Sequence, residues 1–291
     1  MTNAWNGRLP APVRTLPLFA QRPEFELEDD MLDEYGSYLG LDFEWLFPTG
    51  FTLAADGPTF LIASPSRQTG KTTLITSWLL DLCKNYSKEE LQINLIDFHG
   101  RTMTPFRKAP QVNYIASNED MRSKLDSLMT DLYERESVLS AAYEADPDNF
   151  NPNEVLKRFP RIVIAIDNYE ALHQKYPESG EPLANCLQKG GELGCSFIIT
   201  AKLTELASNY EDRFIAQFRK RGTGILLGGA EGIDEFNNTR RPQGAAPAGL
   251  PAGRGYMVSR GMAGMLQTFT WWDPEEDPEE ALIRQISELN G

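Results

Sequence analysis

An α/β architecture, a mostly parallel sheet flanked by helices, is predicted for this 291-residue chain by three observations. First, the apolar stretch Thr59-Phe60-Leu61-Ile62-Ala63 runs into Ser64-Pro65-Ser66-Arg67-Gln68-Thr69-Gly70-Lys71-Thr72-Thr73 and then into a helix-like pattern. Second, Ile162-Val163-Ile164-Ala165-Ile166 ends in Asp167; an unbroken apolar run of this kind suits a strand buried on both faces of a parallel sheet. Third, strand-like and helix-like segments alternate from Thr59 onward, and such alternation builds parallel strands joined by right-handed crossovers.

Taken in order, residues 1–22 carry three prolines and little periodicity and read as an extended arm. The expected division is an arm or interdomain linker over 1–37 and one domain over 38–291. Residues 38–43 read as an edge strand. Strands are predicted near 59–63, 92–98, 112–116, 162–167 and 195–201, and helices near 70–85, 118–143, 181–192 and 209–220. Asn118-Glu119-Asp120 supplies acidic first-turn chemistry to the long helix, whose Met121, Leu125, Leu128, Met129 and Leu132 recur at helical spacing as core positions. Residues 228–254 are rich in Gly, Pro and Ala, a long loop that is either functional or a surface excursion. An added C-terminal strand pair is expected near 255–259 and 266–272, then a helix near 278–289.

The segment from Gln68 to Thr72 is the back half of a phosphate-binding loop. Backbone N–H groups of Ser66, Arg67, Gln68, Thr69, Gly70, Lys71, Thr72 and Thr73 are the candidates to cradle ATP. Lys71 would reach the β/γ oxygens, and the Thr72 hydroxyl would ligate Mg²⁺. The following helix aims the positive end of its dipole at the same anion. Pro65 stands where the full pattern has Gly. Asp167, at the carboxyl end of a buried strand where ligands of such sheets sit, is the second metal candidate with Thr72. Asp167 and Glu170 are the candidate catalytic acids. Two strands between the phosphate loop and Asp167 fit a RecA-like P-loop NTPase.

Composition bounds the rest. The net charge of −14 disfavours nucleic acid, because an acidic surface repels phosphate backbones. Acids cluster at 24–34 and 273–280, against a local basic patch of Arg213, Arg219, Lys220 and Arg221. No apolar run reaches membrane-spanning length and no signal-peptide pattern is visible. Cys83, Cys186 and Cys195 read as core residues in a reducing compartment. With only His99 and His173, a His/Cys zinc site is not expected.

The chain resembles FtsK/SpoIIIE-type ATPase domains, and more specifically the C-terminal ATPase domain of the EccC/EssC proteins of type VII secretion. Three features carry the resemblance: Leu39-Gly40-Leu41-Asp42-Phe43; Ile166-Asp167-Asn168-Tyr169-Glu170-Ala171-Leu172; and Arg221-Gly222-Thr223-Gly224-Ile225-Leu226-Leu227-Gly228 followed by Leu250-Pro251-Ala252-Gly253-Arg254-Gly255-Tyr256 and Trp271-Trp272-Asp273-Pro274. It spans residues 38 to 274. It implies a cytoplasmic module of a membrane-anchored motor, reaching the membrane only through a larger chain. The implied partners are the motor's other ATPase domains, further copies of the chain, and WXG-type cargo read by a C-terminal signal.

Three departures bear on mechanism. Asn168 replaces the Glu that follows the Walker B Asp in active members, Pro65 replaces Gly, and Ala201-Lys202-Leu203 replaces the usual Thr-Gln-Arg with its γ-phosphate-sensing amide. The expected function is therefore a nucleotide-binding module that binds ATP with little or no hydrolysis and serves substrate recognition or regulation. An active hexameric motor or DNA translocase, with Arg219 or Arg221 as arginine finger, is one alternative. A nucleotide-free interaction scaffold is the other. Candidate surfaces for a cargo tail are the 43–51 segment with Trp45 and the 228–254 loop beside Tyr256; taken alone, Trp45 reads as core.

Overall fold

The computed structural model describes residues 20–21, 35–98, 102–208, 211–273 and 275–289. In chain order its strands are β1 (Ala20–Gln21), β2 (Gly36–Asp42), β3 (Pro48–Thr52), β4 (Thr59–Ser64), β5 (Leu91–Ile96), β6 (Val112–Ile115), β7 (Arg161–Ile166), β8 (Cys195–Lys202), β9 (Gly224–Leu227), β10 (Arg254–Ser259) and β11 (Met262–Thr270). The helices are α1 (Lys71–Asn85), α2 (Asn118–Ala145), α3 (Pro152–Leu156), α4 (Tyr169–Lys175), α5 (Gly180–Gly190), α6 (Leu203–Ser208), α7 (Arg213–Arg221) and α8 (Pro278–Glu288).

Six strands run parallel in the order β9-β4-β8-β7-β5-β6, and β10, β11, β2 and β3 continue the sheet antiparallel beyond β9. Every residue of β4 is buried, as are all but the first of β7 and all but the last of β8. That is why these strands read as unbroken apolar runs rather than alternating ones. One face is covered by α2, α4, α5 and α7 through Leu125, Leu128, Leu172, Leu187, Phe214 and Phe218. The other is covered by α1 and α8 through Leu79, Trp78, Leu282 and Ile286. Trp78 packs edge-on against Phe60, with ring centroids 5.2 Å apart, and so seats α1 on β4.

The local chemistry of the ends matches the sequence. Ser117 caps α2 by accepting from the Asp120 N–H at 3.1 Å. The expected C-terminal strand pair is the β10–β11 hairpin. Its two-residue turn, Arg260-Gly261, has positive φ at both positions, the geometry that suits the twist of a tight hairpin.

Several elements differ from expectation. The strand expected at the edge over 38–43 is β2, which lies between β11 and β3; β3 forms the edge, where Pro48 is tolerated because its missing N–H is not needed. Gly36 opens β2 two residues before the expected boundary, and Ala20 and Gln21 lie opposite Phe269 and Thr270 in parallel. The rest of the expected arm, and the acidic run 24–34, lie outside the described residues. The helix expected over 209–220 is α7 over Arg213–Arg221, started by the Asp212 cap; α6 ends before it. Three short helices, α3, α4 and α6, were too brief to show a period in the sequence.

One buried arginine, Arg135, and one half-buried arginine, Arg161, staple the amino-terminal edge of the sheet. Arg135 donates to the carbonyls of Leu193 and Pro160, and Arg161 to the carbonyl of Leu53 and the Ser196 hydroxyl. Burial pulls both guanidinium groups below their ordinary range.

Candidate functional site

β4 delivers the chain to the carboxyl edge of the sheet at Ser64, and residues 65–70 turn it back into α1. Gln68 and Gly70 have positive φ, 58° and 98°, on either side of Thr69. Such alternation turns successive N–H groups toward one concavity. Gly70 is the N-cap of α1 and makes no side-chain cap bond, so the first N–H groups of the helix stay available to a ligand. Ser66, Arg67 and Gln68 are exposed, Thr69 is buried, and Gly70, Lys71, Thr72 and Thr73 are half-buried.

The loop is held from inside and from behind. Ser64 Oγ donates to the Ser66 carbonyl at 2.7 Å and accepts from Lys71 Nζ at 2.6 Å. Behind it, the Gly253 N–H donates to the Thr69 carbonyl at 2.9 Å, and a Cβ on Gly70 would sit 3.1 Å from the Gly253 nitrogen. The Gly/Pro-rich stretch before β10 is therefore the wall against which the phosphate loop rests.

Asp167 follows β7, next to the loop. Its carboxylate accepts from Thr200 Oγ1 at 2.7 Å and from Thr72 Oγ1 at 3.2 Å. Burial pushes the Asp167 carboxyl above its ordinary value, and the negative charges of Asp97 and Glu170 add to the rise, while the Thr200 and Thr72 hydrogen bonds oppose it. Asp97, buried at the end of β5, accepts from Tyr114 Oη at 2.9 Å. Burial draws the Lys71 ammonium below its ordinary range, against the opposing pull of Glu170 and Asp167. A hydroxyl and a carboxylate this close, next to an uncapped helix start, are oxygen donors of the kind that would hold a hydrated Mg²⁺ ion.

Asn168 is turned away from this cluster. It sits in the left-handed region at φ 61°, its N–H donates to Thr200 Oγ1 at 2.7 Å, and its side chain caps α4 by accepting from the Ala171 N–H at 3.2 Å. Glu170, in the first turn of α4, is brought to the site: it is buried, and Oε1 lies 3.7 Å from Lys202 Nζ. Thus Lys71, Thr72, Asp167 and Glu170 converge, whereas Ser66, Arg67 and Gln68 contribute loop backbone on the solvent side. Ser64, Thr200, Lys202, Asp97 and Gly253 join them unforeseen. A sequence signal existed for Thr200 and Lys202, polar residues two apart at the carboxyl end of an apolar strand.

Two further expectations are corrected. Trp45 is not core: 64% of it is exposed, as are 62% of Phe47 and 44% of Phe43. They sit on the β2–β3 turn, which Asp42 organises by accepting from the Glu44, Trp45 and Phe47 N–H groups. The arginine-finger candidates are tied down within their own chain. Arg219 pairs with Glu235 at 2.5 Å, and Arg221 donates to the Gly57 carbonyl at the opposite edge of the sheet. Cys83, Cys186 and Cys195 are buried and unbridged, and burial pushes each thiol up to about 12. His99 lies outside the described residues.

No family model matches the chain. It is 24% identical over 266 residues, 88% of its length, to the ESX secretion system protein EccC of Thermomonospora curvata. ATPases 2 and 3 of EssC from Geobacillus thermodenitrificans superpose with a TM-score of 0.69 at 20% identity, over 97% of this chain and 52% of that one. The fold is that of the P-loop ATPase domains of EssC and EccC. Thermomonospora curvata EccC, ATPases 2 and 3 in complex with a signal sequence peptide, gives 0.67 at 22% identity, over 93% of this chain and 46% of that one. The chain spans 18% of the curated EccC and about half of each two-ATPase structure.

Within this EccC/EssC-type fold, the corner at Asn168 predicts that restoring an acid there fails. Asn168→Glu removes the α4 cap and strains a left-handed position, at about 1–2 kcal/mol. Denaturant unfolding should show that loss and phosphate release should not rise; a stable, hydrolysing variant would refute the assignment. Asp167→Asn should act in the opposite direction on stability. A carboxyl whose folded value is raised ionises more readily when unfolded, so the penalty is absent below the unfolded value and grows as pH rises toward the folded one. Melting curves should show Asp167→Asn gaining over wild type at pH 7 and not near pH 3.

Proposed function

We propose that this chain is a nucleotide-binding ATPase-fold module of a type VII secretion motor, with weak or absent hydrolysis, used for substrate recognition or regulation. The observation that supports it best is the split at the end of β7. Asp167 is aimed at Thr72 beside the phosphate loop, while the next side chain, Asn168, caps a helix instead of facing the site. Bound Mg-ATP would supply the cation and the phosphoryl group. Lys71 and the α1 N-terminus would hold the phosphates, the Thr72 hydroxyl would ligate the metal, and Asp167 would hold it through water. Asp167 and Glu170 are the acids available for proton transfer, with Glu170 Oε1 3.7 Å from Lys202 Nζ.

The similarity to EccC and EssC domains supports the motor's other ATPase domains and further copies of the chain as partners. The same similarity supports a cytoplasmic module joined to a membrane complex by a longer polypeptide. No helix among the described residues is long and apolar enough to cross a membrane. The net charge of −14 argues against duplex DNA as a track.

Calorimetry tests the core of the reading. Wild type should bind Mg-ATP, and Lys71→Ala should lose about ten- to a hundredfold, the loss expected for a charge-assisted hydrogen bond. Equal binding by the two would dismiss the phosphate-loop assignment. Phosphate release should stay near background, since lacking a general base lowers rates by about 10²–10⁴; fast turnover abolished by Glu170→Gln would favour the active motor.

Recognition of cargo rests on the aromatic tip. Phe43, Trp45 and Phe47 are exposed on a turn that Asp42 has already ordered, and apolar anchors on a rigid surface suit short peptide tails. Labelled C-terminal tails of WXG-type proteins should bind wild type more tightly than Trp45→Ala in an anisotropy titration. Equal anisotropy curves would remove the tip from this role.

A further inference from the structure

A cleft of about 1090 Å³ opens at the amino-terminal edge of the sheet, the opposite end from the phosphate loop. Arg161, the first residue of β7, lines it beside Arg135 of α2, and Leu139, Phe150 and Phe159 supply apolar wall. The volume is on the scale of small-molecule sites, about 300–1,000 Å³, and far above what a bare ion needs.

The hydrogen bonds that staple this edge are made to neutral acceptors, so the two charges have no counterion. Arg135 gives Nη1 and Nη2 to backbone carbonyls, and its Nε is buried without a partner. Arg161 makes both of its hydrogen bonds through Nη2, and its Nε is likewise buried and unpartnered. Among the described residues neither guanidinium forms an ion pair. They also repel one another, since the charge of Arg135 disfavours that of Arg161. Asp131 and Glu134, on the same helix as Arg135, draw on it only from a distance. The Phe159 ring lies 5.1 Å from the Arg135 guanidinium and the Tyr35 ring 5.5 Å from that of Arg161, contacts that offset part of the cost of burial.

The acids around the cleft do not serve the arginines. Glu136 is held by Lys189 at 2.6 Å and Glu154 by Lys157 at 3.0 Å, while Glu192 is exposed. A guanidinium drawn out of water is better compensated by a hydrogen-bonded anion than by carbonyls alone, and its planar fork matches a carboxylate. Three surrounding acids disfavour a ligand that carries several negative charges.

We propose that this cleft binds a small organic carboxylate with an apolar body. The carboxylate meets the Arg161 guanidinium, Arg135 behind it adds to the attraction, and the body packs against Leu139, Phe150 and Phe159. The inference goes beyond the nucleotide-binding reading and does not depend on it, because the two sites lie at opposite edges of the sheet.

Thermal melting and NMR of the arginine Nε–H signals test this with hydrocinnamate, its neutral amide and inorganic phosphate. Hydrocinnamate should raise the melting temperature of wild type saturably and move the Arg161 Nε–H signal. The amide should bind at least about tenfold more weakly, the loss expected for a charge-assisted hydrogen bond, and phosphate should leave the signal in place. Arg161→Gln should lose about tenfold or more on hydrocinnamate. Because that variant also loses stapling bonds and can fail to fold, Ser140→Glu is the second test. It puts an acid at an exposed position of α2 that lines the cleft, keeps both arginines, and should weaken hydrocinnamate about tenfold. No saturable response to hydrocinnamate, equal binding of the amide, or a Ser140→Glu protein that binds like wild type overturns the site. A phosphate response as strong as that to hydrocinnamate overturns the ligand class.

Discussion

The hydroxyl of Thr200 is the constraint on which the site depends. It has one proton to give and lone pairs to receive. It spends the proton on Asp167 and accepts from the Asn168 N–H, both at 2.7 Å, and so welds the end of β7 to β8. That weld aims the Asp167 carboxylate at Thr72 and turns the next residue into the left-handed region. Asn suits such a position better than most residues, because its short amide finds a local partner, here the first turn of α4. The start of α4 then sets Glu170 beside Lys202. One hydrogen-bonded corner thus places Asp167 against Thr72, withdraws its neighbour, and installs a different acid three residues on.

The buried centre of the fold was legible because its physics is one-dimensional. A strand covered on both faces is mostly apolar, and 59–63, 162–166 and 195–201 announce that directly, with Thr59, Ser196 and Thr200 as buried polar exceptions. The turn at Gly70 into α1 was equally legible, since Gly70 takes the left-handed conformation that starts the helix at Lys71. What sequence concealed was proximity. Nothing within residues 249–254 says that Gly253 supports Thr69, more than 180 positions earlier in the chain. Likewise the partnership of Lys202 with Glu170 depends on strand order, not spacing. Trp45 was misread because composition favours burial of an indole. The Asp42 turn keeps it out, a local polar constraint that outweighs the apolar preference of three aromatic rings.

Charge is distributed unevenly between the two edges of the sheet. At the amino-terminal edge, Arg135 and Arg161 are answered by backbone carbonyls and the Ser196 hydroxyl, which fixes the ends of β7 and β8 in place. At the carboxyl edge, Lys71, Lys202, Asp167, Glu170 and Asp97 are crowded together, and both Lys71 and Asp167 are pushed toward their neutral forms. The first edge is built for rigidity. The second carries unfavourable interactions within an otherwise apolar core, the usual mark of a site arranged for a ligand rather than for stability.

The position of β4 in the sheet also governs how the chain is made. Its partners are β8 and β9, so Ile62 meets Ile225 only after roughly 160 further residues have been added. At synthesis rates of about 5–20 residues per second, that leaves both hydrogen-bonding edges of β4 unpaired for on the order of ten seconds or more. Parallel pairing over such separation is intrinsically slow, and an unpaired apolar strand is adhesive during the delay. The phosphate loop therefore has no floor until the last third of the polypeptide has emerged, and a nascent chain needs shielding at 59–64 well before any nucleotide could bind to it.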